Sequence, residues 1–107
     1  IDDVIIVKND LFAKADMLMQ KGLPKQNIIL DPGIGFGKTS RLNTELLKFG
    51  NEIADFDTVV GYSRKRFLGE NRMDVAPNLA AGHTAMLHGA SYIRVHDVAA
   101  HAVLTQE

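Results

Sequence analysis

No cysteine occurs among the 107 residues, which excludes disulfide bonds and thiolate metal sites. An excess of one charge is also missing. The 12 basic and 13 acidic residues leave a formal net charge of -1 and are interspersed, so no basic stripe marks a nucleic-acid partner. No apolar run approaches the roughly 18 residues that would span a bilayer, and the first residues lack the basic, apolar, small-residue order of a secretory signal. The expectation is a cytoplasmic protein with neither a membrane nor a nucleic-acid partner. What is present is 46% hydrophobic residues, enough to furnish one core.

The apolar residues fall into alternating patterns. Over residues 2–22, Val4, Leu11, Phe12, Ala15, Leu18 and Met19 form a helical stripe, opened by aspartates and closed by a glycine. Residues 28–30 are a short aliphatic run ending in Asp31-Pro32-Gly33, a buried strand entering a loop. A second helix is predicted over residues 42–54, with Leu42, Leu46, Leu47 and Ile53 inward. The strand pattern returns at 59–63 and 91–96 and the helix pattern at 79–87, and Asp97 is placed to cap a last helix through Leu104. Strand starts at Ile28, Val59 and Tyr92 lie 31 and 33 positions apart, the length of one βα unit. The fold class is therefore α/β with a parallel sheet, either open or part of a barrel. Three strands cannot close a barrel, and a (β/α)₈ domain takes about 250 residues.

The polar residues that need explaining gather at the predicted C-terminal ends of the strands: Asp31, then Ser63 and Lys65, then Arg94 and His96. Ligands bind at that end in parallel α/β folds. Strand alternation puts Arg94 and His96 on one face, and Gly61 leaves room for a flat ligand against the backbone. Taken singly, Asp31 before Pro-Gly is a turn residue and Lys65 or Arg94 a surface charge. Together they would be costly at the end of a buried sheet without a ligand or mutual pairing. Gly33-Ile34-Gly35-Phe36-Gly37-Lys38-Thr39 is neither a P-loop, since only three residues separate Gly33 from Gly37, nor a dinucleotide fingerprint. It reads as a flexible loop carrying Phe36 over the strand ends. His83, His88 and His101 match no metal spacing and read as helix-surface residues, and Met17, Met19 and Met86 read as packing.

Three segments in this order, Asp31-Pro32-Gly33-Ile34-Gly35-Phe36-Gly37-Lys38, Gly61-Tyr62-Ser63-Arg64-Lys65, and Gly89-Ala90 followed by Ile93-Arg94-Val95-His96-Asp97-Val98, resemble the last strand-end motifs of dihydropteroate synthases. The likeness runs over nearly the whole chain. It implies that residues 1–107 are a partial pterin-binding domain: the C-terminal three βα units of a (β/α)₈ TIM barrel, incomplete as it stands. It further implies an alkyl-transferring enzyme of folate biosynthesis and sulfonamide target. Such an enzyme joins 6-hydroxymethyl-7,8-dihydropterin diphosphate to p-aminobenzoate as a full-length homodimer. Asp31, Gly61 and Lys65 would bind the pterin, Arg94 and His96 the pyrophosphate, and Phe36, Lys65 and Arg66 the p-aminobenzoate. The carboxylate of p-aminobenzoate would meet backbone N–H groups of a helix after Arg66. Lys65, Arg94 and His96 would be the catalytic set. Mg²⁺ would be held by an asparagine in the absent N-terminal strands, with no metal ligand in this chain, and the fragment alone would be inactive. Two departures from the family pattern stand out. Residues 69–78 are shorter than in many relatives, and Arg66 replaces a frequent serine. The alternatives are a pterin-binding methyltransferase domain, or a silent paralogue or fragment that acts only in assembly.

Overall fold

The computed structural model describes residues 3–53 and 55–105; Asp2 and Ala54, at the edges of two predicted helices, lie outside them. Helix α1 is Val4–Gln20, capped by Asp3, whose Oδ1 accepts from the Ile5 N–H at 2.9 Å. It stops at Gly22, whose φ of +101° lets the Leu23 N–H reach the Leu18 carbonyl at 3.1 Å, a Schellman ending. Val7 and Ala15 are buried, with Val4, Leu11, Phe12 and Met19 packed beside them, whereas Leu18 and Met17 remain largely exposed.

Strands β1 (Ile29–Leu30), β2 (Asp57–Val60) and β3 (Tyr92–Ile93) form a parallel sheet in the order β1-β2-β3, with Leu30 opposite Thr58 and Val60 opposite Ile93. All three are shorter than predicted or shifted from it, because the ladder gives way to side-chain and turn bonds. The Arg94 N–H still reaches the Val60 carbonyl at 3.0 Å, but the next ladder donor, His96 N–H, goes to Ser63 Oγ at 3.1 Å. After Val60 the chain turns, with the Lys65 N–H donating to the Tyr62 carbonyl at 3.2 Å.

Helix α2 (Ser40–Leu46) starts two residues before the prediction, since Thr39 Oγ1 caps the Leu42 N–H at 3.2 Å. It also ends early, and a separate 3₁₀ turn follows at Phe49–Glu52. There Gly50 lies against the backbone of Gly89, and a Cβ on it would stand 2.3 Å from the Gly89 carbonyl carbon. Helix α3 (Val75–Leu87) begins four residues before the predicted 79, with Pro77 in the first turn, where a missing N–H breaks no helical bond. Asp97 caps α4 (Val98–His101) as expected, its Oδ1 accepting from the Ala100 N–H at 2.9 Å, and the chain continues as a 3₁₀ turn, Ala102–Thr105.

Parallel neighbours joined by right-handed crossovers carry their helices on one face of the sheet. Leu30, Thr58 and Val60 face that layer and are at most 5% exposed. On the opposite face Ile29 is 49% and Tyr92 53% exposed. The molecule is accordingly a slab of 42 × 32 × 19 Å. Its radius of gyration is 14.2 Å, against about 13 Å for a compact chain of this length.

Candidate functional site

The loop after β1 is tied down rather than flexible. Asp31 Oδ1 accepts from the Gly33 N–H at 2.9 Å, and the Phe36 N–H closes a turn onto the Gly33 carbonyl at 3.1 Å. Buried Asn43 accepts from the Gly35 N–H at 2.9 Å, and the Lys38 ammonium donates to the Gly33 and Phe36 carbonyls at 3.0 and 3.2 Å. Ile34 is 1% exposed and anchors the loop in the core. Gly35 has φ +88°, and a Cβ on it would strike the Lys65 stem at 2.9 Å, so only glycine lets that stem lie against the loop.

Lys65 reaches from the β2 end to the Ile34 carbonyl, with its ammonium 5.0 Å from the centre of the exposed Phe36 ring. Desolvation by burial lowers its pKa, with Arg94 and Lys38 adding to the effect and Asp31 opposing it. Arg94 crosses the strand ends and donates to Asp31 Oδ2 at 3.1 Å. Its guanidinium lies on Gly61, where a Cβ would stand 2.2 Å from Nη2. The room expected over Gly61 is therefore filled by Arg94. Asp31 and Arg94 side chains are 35% and 57% exposed, and pairs of that kind contribute only about 0–1 kcal/mol, so an incoming ligand can replace the contact cheaply. Ser63 Oγ sits 2.7 Å from His96 Nδ1 while accepting the His96 backbone N–H, fixing the ring at the β3 end.

Asp31, Gly61, Lys65 and Arg94 thus come together as expected, with His96 one position aside on Ser63. Phe36, Lys65 and Arg66 line a neighbouring open cleft of about 510 Å³, which Phe67, Arg72 and Lys38 also line. Sequence reading missed Arg72 and the residue that places it, Asn78. Buried Asn78 donates to the Arg72 and Asp74 carbonyls, both at 2.7 Å, and accepts from the Arg64 N–H at 2.9 Å, holding Arg64 at φ +58°. An asparagine early in a helix gives no such signal. Two expectations fail. The helix after Arg66 is only a three-residue 3₁₀ turn, Arg66–Leu68. His101 is not at the surface but 5% exposed, its Nδ1 2.7 Å from the Asp97 carbonyl and its ring centre 5.9 Å from that of Tyr62, because α4 folds back on the core. His88, the C-cap of α3, stays at the helix surface as expected and meets the Asn51 side chain at 2.8 Å.

Among the described residues no group of three or more His, Asp or Glu side chains converges on a point that could hold a metal ion. Asp31, the carboxylate at the strand ends, is engaged by Arg94 and Gly33. No helix among the described residues is long and apolar enough to cross a membrane.

Comparison with known proteins agrees with this geometry. The chain is 38% identical over 106 residues to the dihydropteroate synthase of Escherichia coli strain K12, covering 91% of this chain and 37% of that protein. The structure of dihydropteroate synthase from Stenotrophomonas maltophilia superposes with a TM-score of 0.86 at 36% identity, over 95% of this chain and 42% of the other. The enzyme from Xanthomonas albilineans, solved in complex with 7,8-dihydropteroate, gives 0.85 at 33% identity, over 94% and 42% of the two chains. The chain therefore spans about two fifths of these relatives. Its likeness to named transferases goes with a match of residues 2–96 to the pterin binding enzyme family, and the chain belongs to that family.

Proposed function

We propose that this chain is the C-terminal three βα units of a (β/α)₈ dihydropteroate synthase and supplies most of its substrate-reading side chains. The observation that carries the reading is the cluster of Asp31, Lys65 and Arg94 on the exposed sheet face, beside a cationic cleft opened by Phe36. On this reading Asp31 accepts from the amino group and ring N–H of 6-hydroxymethyl-7,8-dihydropterin diphosphate, and Lys65 donates to the ring carbonyl and nitrogen. Arg94 leaves Asp31 for the diphosphate, where His96, steadied by Ser63, joins it. The bond between the pterin methylene carbon and the diphosphate oxygen breaks, and its electron pair leaves with pyrophosphate. The amine nitrogen of p-aminobenzoate bonds to that carbon and gives up its proton, yielding 7,8-dihydropteroate. Arg94 and His96 stabilise the charge that builds on the leaving group. On this reading Mg²⁺ would be held by an asparagine in strands outside the chain, and no step here depends on it. The isolated chain is then inactive. The full-length protein is a cytoplasmic homodimer open to sulfonamides.

The methyltransferase alternative is disfavoured because its substrate has no diphosphate for Arg94 and His96 to hold. The test is formation of 7,8-dihydropteroate from the two substrates by the full-length protein carrying this sequence. Activity that falls at least tenfold in Asp31→Asn supports the reading, and full activity in that variant overturns it.

A further inference from the structure

The cleft beside the strand ends has a charge surplus. Lys38, Lys65, Arg66 and Arg72 line it, and among the described residues no carboxylate does. Two of these cations are engaged: Lys38 with the Gly33 and Phe36 carbonyls, and Lys65 with that of Ile34. The other two are open. Among the described residues neither the Arg66 nor the Arg72 guanidinium has a hydrogen-bond or ion-pair partner. The element expected to bind an acid here, a helix N-terminus after Arg66, is reduced to the turn Arg66–Leu68, too short to develop a useful dipole.

Arg72 is positioned, not merely nearby. Its N–H donates to the Gly69 carbonyl at 3.2 Å, and its own carbonyl is taken by Asn78, which is 5% exposed and also holds Asp74 and Arg64. The short connection before α3 is thus pinned to the β2 end, and a side chain on a pinned loop loses less freedom on binding. A planar guanidinium presents a fork that matches a carboxylate.

We propose that Arg72, together with Arg66, reads the acidic end of the arylamine substrate, so that this cleft selects arylamines by negative charge and accepts a second anionic group. The proposal rests on the function proposed above. It adds the residues that set arylamine choice and the charge class they favour.

The test uses the full-length protein with 4-aminobenzamide, 4-aminobenzoate and 4-aminophthalate as neutral, singly and doubly charged ligands of similar shape. In Arg72→Ala the dissociation constant should rise about tenfold for 4-aminobenzoate, the loss of one charge-assisted contact. It should rise further for 4-aminophthalate and stay within twofold for 4-aminobenzamide. Arg72→Lys, which keeps the charge, should fall between wild type and Arg72→Ala for both acids. Equal losses for all three ligands, or unchanged affinity for the acids, would overturn the proposal. Lysine behaving as alanine toward both acids would also overturn it. If the wild-type protein makes no dihydropteroate from 4-aminobenzoate, it is the parent reading that fails.

Discussion

Arg94 holds Asp31 with one end of its guanidinium while its face lies on Gly61, so the residue expected to bind diphosphate rests in the place expected for the pterin. On the proposed function, binding of the two halves of the substrate would be coupled. In Arg94→Ala, affinity for the pterin diphosphate should fall at least tenfold, through loss of a charge-assisted contact. The pterin without its diphosphate should lose less, because Asp31 is already released. Calorimetric titration of both ligands reads the difference, and equal losses would remove the phosphate role. Lys65 offers a second check at this scale. Burial, Arg94 and Lys38 hold its pKa below the ordinary 10.5 while Asp31 pulls it back up, so as a donor it fails at a lower pH than a free lysine would. Pterin affinity should decline as pH rises through that lowered value. The midpoint should move up in Arg94→Gln, which removes a lowering charge, and down in Asp31→Asn, which removes the raising one. For stability the sign is opposite: the folded state binds this proton less tightly than the unfolded chain, so raising the pH through the same window favours folding.

Elements were legible where the sequence punctuates itself and illegible where a distant contact decides. Asp3, Gly22 and Asp97 mark helix ends that the structure keeps, because the cap is made within a few residues. The existence of the three strands was readable from the aliphatic runs, the first of which ends in turn chemistry at Asp31, and with it the convergence of Asp31, Lys65 and Arg94. The end of α2 was not, since the chain beyond Leu46 tightens into a 3₁₀ turn whose Gly50 packs on Gly89, 39 residues on. Nor was the setting of Arg72, which hangs on one buried asparagine, or the burial of His101 under Tyr62. Two glycines make this testable. Gly82 lies inside α3, where alanine would ordinarily gain about 1 kcal/mol, but its Cβ would meet the buried Tyr62 hydroxyl at 2.3 Å and Leu104 at 2.9 Å. Overpacking of that kind costs about 1–3 kcal/mol, so Gly82→Ala should lower stability in denaturant titrations of the full-length protein. Gly50→Ala should cost more, because its obstacle is backbone and the two chain segments must part. Stabilisation by either change would contradict the packing described.

At the scale of the molecule, the sheet is covered on one face only. Helices bury Leu30, Thr58 and Val60, while Ile29 and Tyr92 stand half-exposed on the other side, and β1 and β3 are both edges. Open edges with apolar residues beside them are templates for pairing with another chain. The thin dimension of 19 Å is that of one sheet and one helix layer, and the face left bare is the one that continues into Asp31, Gly61 and Arg94. Among the described residues nothing forms an opposite wall to a site on that face, so water would reach every group proposed to hold the leaving diphosphate and weaken each electrostatic contact. The 107-residue chain prepared alone should therefore self-associate or melt without cooperativity. Joined to the five strands expected to complete the barrel, the same residues should melt as one unit. Sedimentation and thermal unfolding of the two preparations side by side measure this directly. Changing Ile29 and Tyr92 to threonine should relieve the association of the short chain, and in the complete protein it should cost stability, because there the two side chains face a filled core. A short chain that sediments as a single monomer and unfolds cooperatively would show that the sheet needs no further strands, and the proposal of an incomplete barrel would fall with it.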